Sequence, residues 1–397
     1  MTDTLSLRLP TAQGTLESFQ LSEPLAFPTR ATAPFNRVAY SAAHVVADPL
    51  AANNPWLDCA IDWDATIAYR QHLWRLGLGV AEAMDTAQRG MGLDWPTSLE
   101  LIRRSIDASR DVPGAFLASG AGTDHLAPEA AKSIDDVIRA YEEQLAAIEH
   151  LGGRIILMAS RALARVARSA DDYHRVYDRI LSQVREPVII HWLGDMFDPA
   201  LAGYWGSADP MAAMDVATDV INRHAAKVDG VKISLLDKDK EIVMRRRLVR
   251  TGGPDGRGVR MYTGDDFNYA ELIAGDEQGH SHALLGIFDA IAPAASAALS
   301  ALAAGDRARF EAILAPTVPL SRHIFQAPTR FYKTGVVFMA WLNGLQDHFV
   351  MVGGQQSTRS LQHLAELFRL ADRAGLLADP PRAAARMRAV LAVHGVV

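Results

Sequence analysis

One lysine lies where its side chain could form a covalent intermediate. Lys232 is part of the segment DGVKISLL, which is otherwise apolar enough to form a buried strand. A buried ammonium is costly unless it is paired, so lysine is rarely found in such a strand without a function. Burial also lowers the pKa of a lysine, which provides the free amine that attacks a carbonyl carbon and forms an imine. The structural alternative is a lysine that pairs with Asp265 or Glu82, or one whose ammonium reaches solvent.

Histidines and carboxylates offer a second kind of chemistry, because imidazole and carboxylate groups bind divalent metal ions. The candidate ligands are His44, Glu82, Asp85 and His191, and His125, His280 and His282 extend the set. No local ligand spacing such as His-Glu-x-x-His supports this interpretation. The alternative prediction is therefore a metal-dependent aldolase, or a barrel similar to sugar isomerases and epimerases, whose ligands meet only in the fold.

The elements that would position these residues alternate along the chain. Short apolar strands are predicted at Val38–Val46, Gly79–Asp85, Pro113–Gly120, Arg154–Ser160, Pro187–Leu193, Gly230–Leu236, Val259–Asp265 and His282–Ile287. Several are continuously apolar and rich in β-branched residues, which is typical of parallel strands buried on both faces. Apolar residues at three- and four-residue spacing predict helices at Asp62–Leu76, Trp95–Ser109, Pro128–His150, Ser169–Gln183 and Ala208–Lys227.

This alternation predicts an α/β protein with a closed (β/α)₈ (TIM) barrel over residues 37–300. A doubly wound open sheet is the second choice, although no glycine-rich dinucleotide motif follows the first strand. Residues 1–36 are predicted as an irregular or short-stranded extension. Residues 301–397 are predicted as a helical region packed on the barrel, with helices at Asp306–Leu314, Lys333–Leu345, Ser357–Ala374 and Pro380–His394.

Composition limits the partners and the compartment. The net charge of −6 offers no basic surface for nucleic acid or anionic lipid. Cys59 is the single cysteine, so no disulfide can form within the chain, and a reducing compartment fits. The first residues do not resemble a signal peptide, and no apolar run is long enough to span a membrane. We therefore predict a cytoplasmic protein with a small-molecule substrate and no membrane or nucleic-acid partner.

In a (β/α)₈ barrel, functional side chains lie at the carboxyl ends of the strands. This rule selects as candidate site residues Glu82, Asp85, Thr86, Arg161, His191, Lys232, Asp265 and Asp266. A histidine titrates near neutrality, so His191 could transfer protons. Arg161 could hold a substrate carboxylate or phosphate by two hydrogen bonds, or could pair with Asp85 or Glu82.

The segment GVKISLLDKD resembles the sixth strand of the dihydrodipicolinate synthase and N-acetylneuraminate lyase family, where a lysine forms an imine with the substrate. YTGDDFNYAELIAGDEQG resembles the family's seventh strand, and AIAPAASAALSALAAGDRARF resembles the helix after its eighth strand. The resemblance covers about residues 37–345. It implies a lyase of the class I aldolase type with Lys232 as the imine-forming residue and no cofactor.

Three departures indicate a divergent member of that family with another carbonyl substrate. Asp85-Thr86-Ala87-Gln88-Arg89 stands where the family has Gly-Thr-Thr-Gly-Glu, the loop that holds a 2-keto-acid carboxylate. Ala159-Ser160-Arg161-Ala162 stands where strand four ends in a proton-relaying tyrosine, and His191-Trp192 replaces Tyr-Asn. In this branch His191 is predicted to replace the tyrosine, and Asp265 or Asp266, with Glu82, Asp85 and Thr86, to surround the substrate.

The predicted reaction is aldol cleavage, aldol addition or dehydration of a small keto-acid or keto-sugar. The apolar C-terminal helices, such as Val336–Leu345, and the family resemblance together predict a homo-oligomer, either a dimer or a tetramer.

Overall fold

The computed structural model describes residues 5–396, which begin with an antiparallel hairpin and continue into a closed barrel of eight parallel strands. The hairpin consists of β1 (Ser6–Pro10) and β2 (Leu16–Gln20). The barrel strands are β3 (Ala39–Ala42), β4 (Gly79–Glu82), β5 (Leu117–Ala121), β6 (Ile155–Leu157), β7 (Val188–Leu193), β8 (Val228–Ser234), β9 (Arg260–Thr263) and β10 (His282–Leu285).

The barrel closes because β10 pairs in parallel with both β9 and β3. The predicted TIM barrel is therefore confirmed, and the open doubly wound sheet is wrong. Each of the eight predicted barrel strands is present, although most are shorter than predicted. The residues of these strands are largely buried; in β8 all seven are. Each strand is covered on one face by the barrel interior and on the other by helices, which explains its continuously apolar sequence.

Helices follow the strands and form the outer layer. Those of the barrel are α1 (Trp63–Arg75), α2 (Trp95–Ser109), α3 (Ile134–His150), α4 (Arg161–Val166), α5 (Ala170–Gln183), α6 (Pro210–Arg223), α7 (Lys238–Arg247), α8 (Tyr269–Ala274), α9 (Ile287–Ala290) and α10 (Ala292–Ala303). Side chains at the predicted starts cap them: Asp62 accepts from the Ala65 N–H, and Asp94 from the Thr97 N–H, both at 2.9 Å. These caps explain why α1 and α2 begin where the sequence predicts.

The C-terminal helices are α11 (Arg307–Leu314), α12 (Thr317–Ile324), α13 (Tyr332–Leu342), α14 (Leu361–Arg373) and α15 (Pro380–Val393). Their buried side chains belong to the same hydrophobic core as those of α1, α10 and the end of β10. The sequence analysis did not predict α12. The apolar helix α13 is buried throughout and begins close to the mouth of the barrel.

The N-terminal hairpin packs on these C-terminal helices. The Ser22 N–H donates to Asp372 on α14 at 3.0 Å, and the Arg388 guanidinium of α15 donates to the Ser6 carbonyl at 2.7 Å. Among residues 5–396, no helix combines the length and the apolar character that crossing a bilayer requires.

Candidate active site at the carboxyl end of the barrel

Lys232 lies on β8 inside the barrel, with 5% of its surface exposed. The strand register pairs it with His191 on β7, so the two residues are lateral neighbours. Gly264, just after β9, makes room for the lysine: a Cβ at that position would lie 2.8 Å from Lys232 Cε and 2.3 Å from Ser234 Oγ. A glycine is needed there because any side chain would collide with both.

The surroundings of Lys232 favour its uncharged form. Burial lowers the pKa of Lys232, and the nearby carboxylates Asp85 and Asp266 oppose this shift without cancelling it. Asp266 is protonated at neutral pH, since burial raises its pKa to about 8 despite the hydrogen bond that it accepts from the Ile287 N–H at 2.8 Å. The site therefore places a lysine with a lowered pKa beside a neutral carboxylic acid.

Asp85 is the ionised carboxylate of the site. Burial by itself would raise the pKa of Asp85, but the positive charges of Lys333 and Lys232 act in the opposite direction and the pKa is lowered. The Tyr332 hydroxyl donates to Asp85 Oδ2 at 2.7 Å and lies 2.6 Å from the Thr86 hydroxyl. Thr86 thus contacts the site through Tyr332.

His191 is buried, and its Nε2 lies 3.2 Å from Ser234 Oγ. Burial and the charge of Lys232 lower the pKa of His191 well below its usual value, although Asp85 acts in the opposite direction. Desolvation of the imidazole therefore moves the titration of His191 below the near-neutral range that is usual for a histidine. The imidazole is neutral at pH 7, and it can accept a proton or share one with Ser234.

A cavity of about 110 Å³ opens beside these residues, between the ends of the strands and the start of α13. Its wall includes Asp85, His191, Arg161, Asp198 and Lys333. Lys232 does not line it; its neighbours Asp85 and His191 do. A substrate in this cavity would meet these two side chains before it reached the Lys232 amine.

Arg161 lines the cavity and is partly exposed, but its pairing differs from the prediction. The guanidinium Nε donates to Asp198 Oδ2 at 2.5 Å, and neither Asp85 nor Glu82 pairs with it. Asp198 lies in the loop after β7 and is not among the site residues predicted from the sequence. Arg161 keeps further N–H donors for a ligand, since a guanidinium carries five.

Two other predicted site residues make structural hydrogen bonds. Glu82 is fully buried and accepts two hydrogen bonds of 2.9 Å from Arg70 of α1, and another of 2.6 Å from Ser105 of α2. Asp265 accepts from the Phe267 and Asn268 N–H groups at 2.8 and 3.0 Å, which fixes the turn before α8. Asp266, the other member of the predicted pair, is the one that lies near enough to Lys232 to influence its pKa.

The alternative metal set of His44, Glu82, Asp85 and His191 is not brought together. His44 Nδ1 lies 2.9 Å from Asp289 and its Nε2 lies 3.0 Å from Gln346, so both ring nitrogens already have partners. Glu82 is held by Arg70, as described above. Across residues 5–396, the structure contains no group of three or more histidine, cysteine or acidic side chains placed to hold a metal ion. That ligand assignment is wrong because its members have other buried partners.

Tyr332 and Lys333 are the site residues that sequence reasoning missed. Both are buried and lie at the start of α13, which the analysis treated only as an apolar helix. The segment YKTGVVFMAWL contained the same signal that identified Lys232, a single lysine within an apolar run. The strand-end rule did not select it because the helix comes after the last barrel strand.

Comparisons with known proteins agree with this architecture. A family model described as "Protein of unknown function (DUF993)" matches residues 7–396. No curated protein matches the sequence. The fold is similar to the dihydrodipicolinate synthase of Oceanobacillus iheyensis, at 14% identity and a TM-score of 0.60 over 84% of this chain and 95% of that one.

Two further dihydrodipicolinate synthases share the fold. The protein from Aquifex aeolicus is 11% identical, with a TM-score of 0.57 over 91% of this chain and 98% of its own. The chloride-inhibited protein from Acinetobacter baumannii, solved with pyruvate, is 16% identical, with a TM-score of 0.58 over 85% and 99% of the two chains. At these identities the likeness establishes the fold, and it confirms the resemblance to the dihydrodipicolinate synthase family at that level.

Proposed function

The chain belongs to the DUF993 family of unknown function, and on that premise we propose that it is a lyase of the class I aldolase type that acts on a small carbonyl compound through Lys232. The observation that carries the proposal is the buried lysine at the carboxyl end of a barrel strand, with a lowered pKa and a neutral histidine beside it. The dihydrodipicolinate synthases with the same fold support the reaction class by analogy alone.

The proposed reaction begins when the unprotonated Lys232 amine attacks the carbonyl carbon of the substrate. The resulting carbinolamine loses water and leaves a protonated imine between Lys232 Nζ and the substrate. This imine accepts the electron pair of a neighbouring C–C or C–H bond, which breaks to give an enamine. Protonation of the enamine and hydrolysis of the imine release the product and restore the free amine.

Neutral His191 has an unprotonated ring nitrogen that can accept the proton released in the bond-breaking step, and Ser234 is within hydrogen-bonding distance. Asp266 is suited to donate a proton, since it is protonated at neutral pH. Asp85, ionised and held by Tyr332, stabilises the positive charge of the protonated imine. In this proposal a substrate displaces Asp85 or His191 slightly to reach Lys232.

Borohydride trapping tests this proposal. Reduction in the presence of a small ketone such as hydroxyacetone should leave a covalent adduct on the peptide that contains Asp229–Lys238, detected by mass spectrometry. Lys232→Arg should abolish the adduct and the turnover, because a guanidinium stays protonated and is a poor nucleophile.

Lys238→Arg is the matched control. Lys238 is on the exposed start of α7 and pairs with Glu271 at 2.7 Å, outside the cavity. Its variant should be labelled like the wild type. An adduct on Lys238, Lys240 or Lys333 in place of Lys232, or full activity in Lys232→Arg, would refute the proposal.

A further inference from the structure

Lys333 is a buried cation of the cavity wall that keeps unused hydrogen-bond donors. Only 2% of the residue is exposed, and it forms part of the cavity wall. Its ammonium donates to the Arg330 carbonyl at 3.0 Å and lies 4.5 Å from the centre of the Tyr332 ring. Among residues 5–396 no carboxylate forms an ion pair with it. An ammonium has three N–H donors, so Lys333 can still donate to a ligand.

The other cations of the cavity wall are already neutralised. Arg161 pairs with Asp198 at 2.5 Å, and Arg89 pairs with Asp124 at 2.7 Å. Lys333 is therefore the cation of the cavity wall that has no ion-pair partner among the described residues, and a small anion that enters the cavity could bind to it. A bound anion stabilises a buried ammonium more than an exposed one, because the attraction between opposite charges is stronger where water is excluded.

Asp85 places a negative charge in the same cavity wall, near both Lys333 and Lys232. It lies on the cavity wall and acts electrostatically on Lys232, His191 and Lys333. A carboxylate bonded directly to the reacting carbonyl carbon would be two bonds from Lys232 Nζ once the imine formed. It would then lie close to the ionised Asp85, and like charges at short range in a buried site repel strongly.

We propose that the substrate is a ketone or aldehyde whose anionic group, a phosphate or carboxylate, is separated from the reacting carbonyl and bound by Lys333, while Asp85 selects against a carboxylate on the carbonyl carbon. This inference rests on the proposed imine chemistry at Lys232 and names the class of substrate for it. Arg161, at the same wall, adds N–H donors for the anion.

Trapping with a matched set of ketones tests the selection. Pyruvate carries its carboxylate on the carbonyl carbon, levulinate carries it two methylene groups away, hydroxyacetone phosphate carries a distal phosphate, and hydroxyacetone is uncharged. Wild type should form at least about tenfold more Lys232 adduct with levulinate and hydroxyacetone phosphate than with pyruvate. Asp85→Asn should raise the pyruvate adduct relative to levulinate.

Lys333→Met should lower the adduct yields of levulinate and hydroxyacetone phosphate relative to hydroxyacetone by about tenfold. Lys238→Met, an exposed lysine outside the cavity, should leave these ratios unchanged. Pyruvate trapping equal to that of levulinate, an adduct on Lys333, or unchanged ratios in Lys333→Met would overturn the inference.

A second measurement separates this inference from the proposed function. Sulfate binding, measured by calorimetry at pH 7, needs no imine and should weaken by about tenfold in Lys333→Met but stay unchanged in Lys238→Met. If no ketone labels Lys232 but sulfate binding falls in Lys333→Met, the imine proposal fails and the anion site remains. If sulfate binds Lys333→Met as tightly as wild type, the anion site is refuted whatever the trapping shows.

Discussion

Asp85 is the residue whose charge connects the two buried lysines of the site. Its carboxylate acts on Lys232 and on Lys333, and the Tyr332 hydroxyl fixes its orientation. With Asp266 protonated, Asp85 is the negative charge that both ammonium groups share. Proton loss from Lys333 therefore changes the electrostatics at Lys232, which makes the site sensitive to pH near 8.

The pKa of Lys333 predicts how the affinity for an anion changes with pH. Burial lowers it to about 8, with Asp85 and Asp198 opposing and Arg161 and Arg330 reinforcing the shift. Because a lysine is charged below its pKa, Lys333 binds an anion at pH 7 and loses its charge as the pH rises through about 8. Sulfate keeps a constant charge over this range, so its affinity, measured by calorimetry from pH 6.5 to 9.5, should fall as the pH rises through about 8.

Asp85 does not account for such a fall, since its pKa is lowered and it stays ionised throughout. Asp266 gains a negative charge over the same range, because its pKa is also about 8, but that contribution is retained when Lys333 is replaced. Lys333→Met should show a much flatter profile. An affinity for sulfate that stays constant or rises between pH 7 and 9 in the wild type would contradict the assignment of Lys333.

At the scale of elements, the carboxyl end of β4 is held in place by the helices behind it. Glu82, its last residue, is bound by Arg70 of α1 and Ser105 of α2, and the Ala83 N–H donates to the same carboxylate at 2.8 Å. Asp85 and Thr86 follow three and four residues later. This buried ion pair thus fixes the strand end from which the site loop starts.

Arg70→Met should destabilise the protein by about 3–5 kcal/mol, because it leaves the Glu82 carboxylate buried without a cation. Urea denaturation monitored by tryptophan fluorescence would measure the free energy of unfolding. Arg103→Met is the matched control: Arg103 pairs with Glu100 on the exposed surface of α2, and its loss should cost much less stability than the loss of Arg70. Equal costs for the two variants would show that the buried pair does not stabilise the strand end.

Some of the helices and strands could be assigned a position and a role from the sequence, and others could not. The bounds of α2 and the position of Lys232 on a buried strand were predictable, because capping, periodicity and an isolated charge in an apolar run are local signals. The position of α13 beside the cavity was not predictable, because it depends on packing between segments that are far apart in the chain. The partners of His44 show the same limit, because Asp289 lies 245 residues away in sequence.

At the scale of the whole molecule, the barrel, the N-terminal hairpin and the C-terminal helices share a continuous hydrophobic core. Leu7 and Leu9 of the hairpin, Leu73 of α1 and Leu391 of α15 all belong to it. The C-terminal helices therefore have a face that is already covered within one chain. Any contact between chains must use the remaining surface.

We nevertheless expect a dimer or tetramer, as the apolar C-terminal sequence and the family resemblance predict. Multi-angle light scattering at micromolar concentration should give a mass that is two or four times 43.1 kDa. A single species of 43.1 kDa over this concentration range would contradict the expectation.

The position of Tyr332 and Lys333 on α13 has a consequence for how the protein is made. The ribosome synthesises Lys232 and all eight barrel strands before it reaches α13. A barrel that folds before α13 is made would thus carry Lys232 without the Tyr332 hydroxyl that donates to Asp85 and without the Lys333 ammonium of the cavity wall. In the terms of the two proposals, the amine that forms the imine is made before the cation that binds the distal anion.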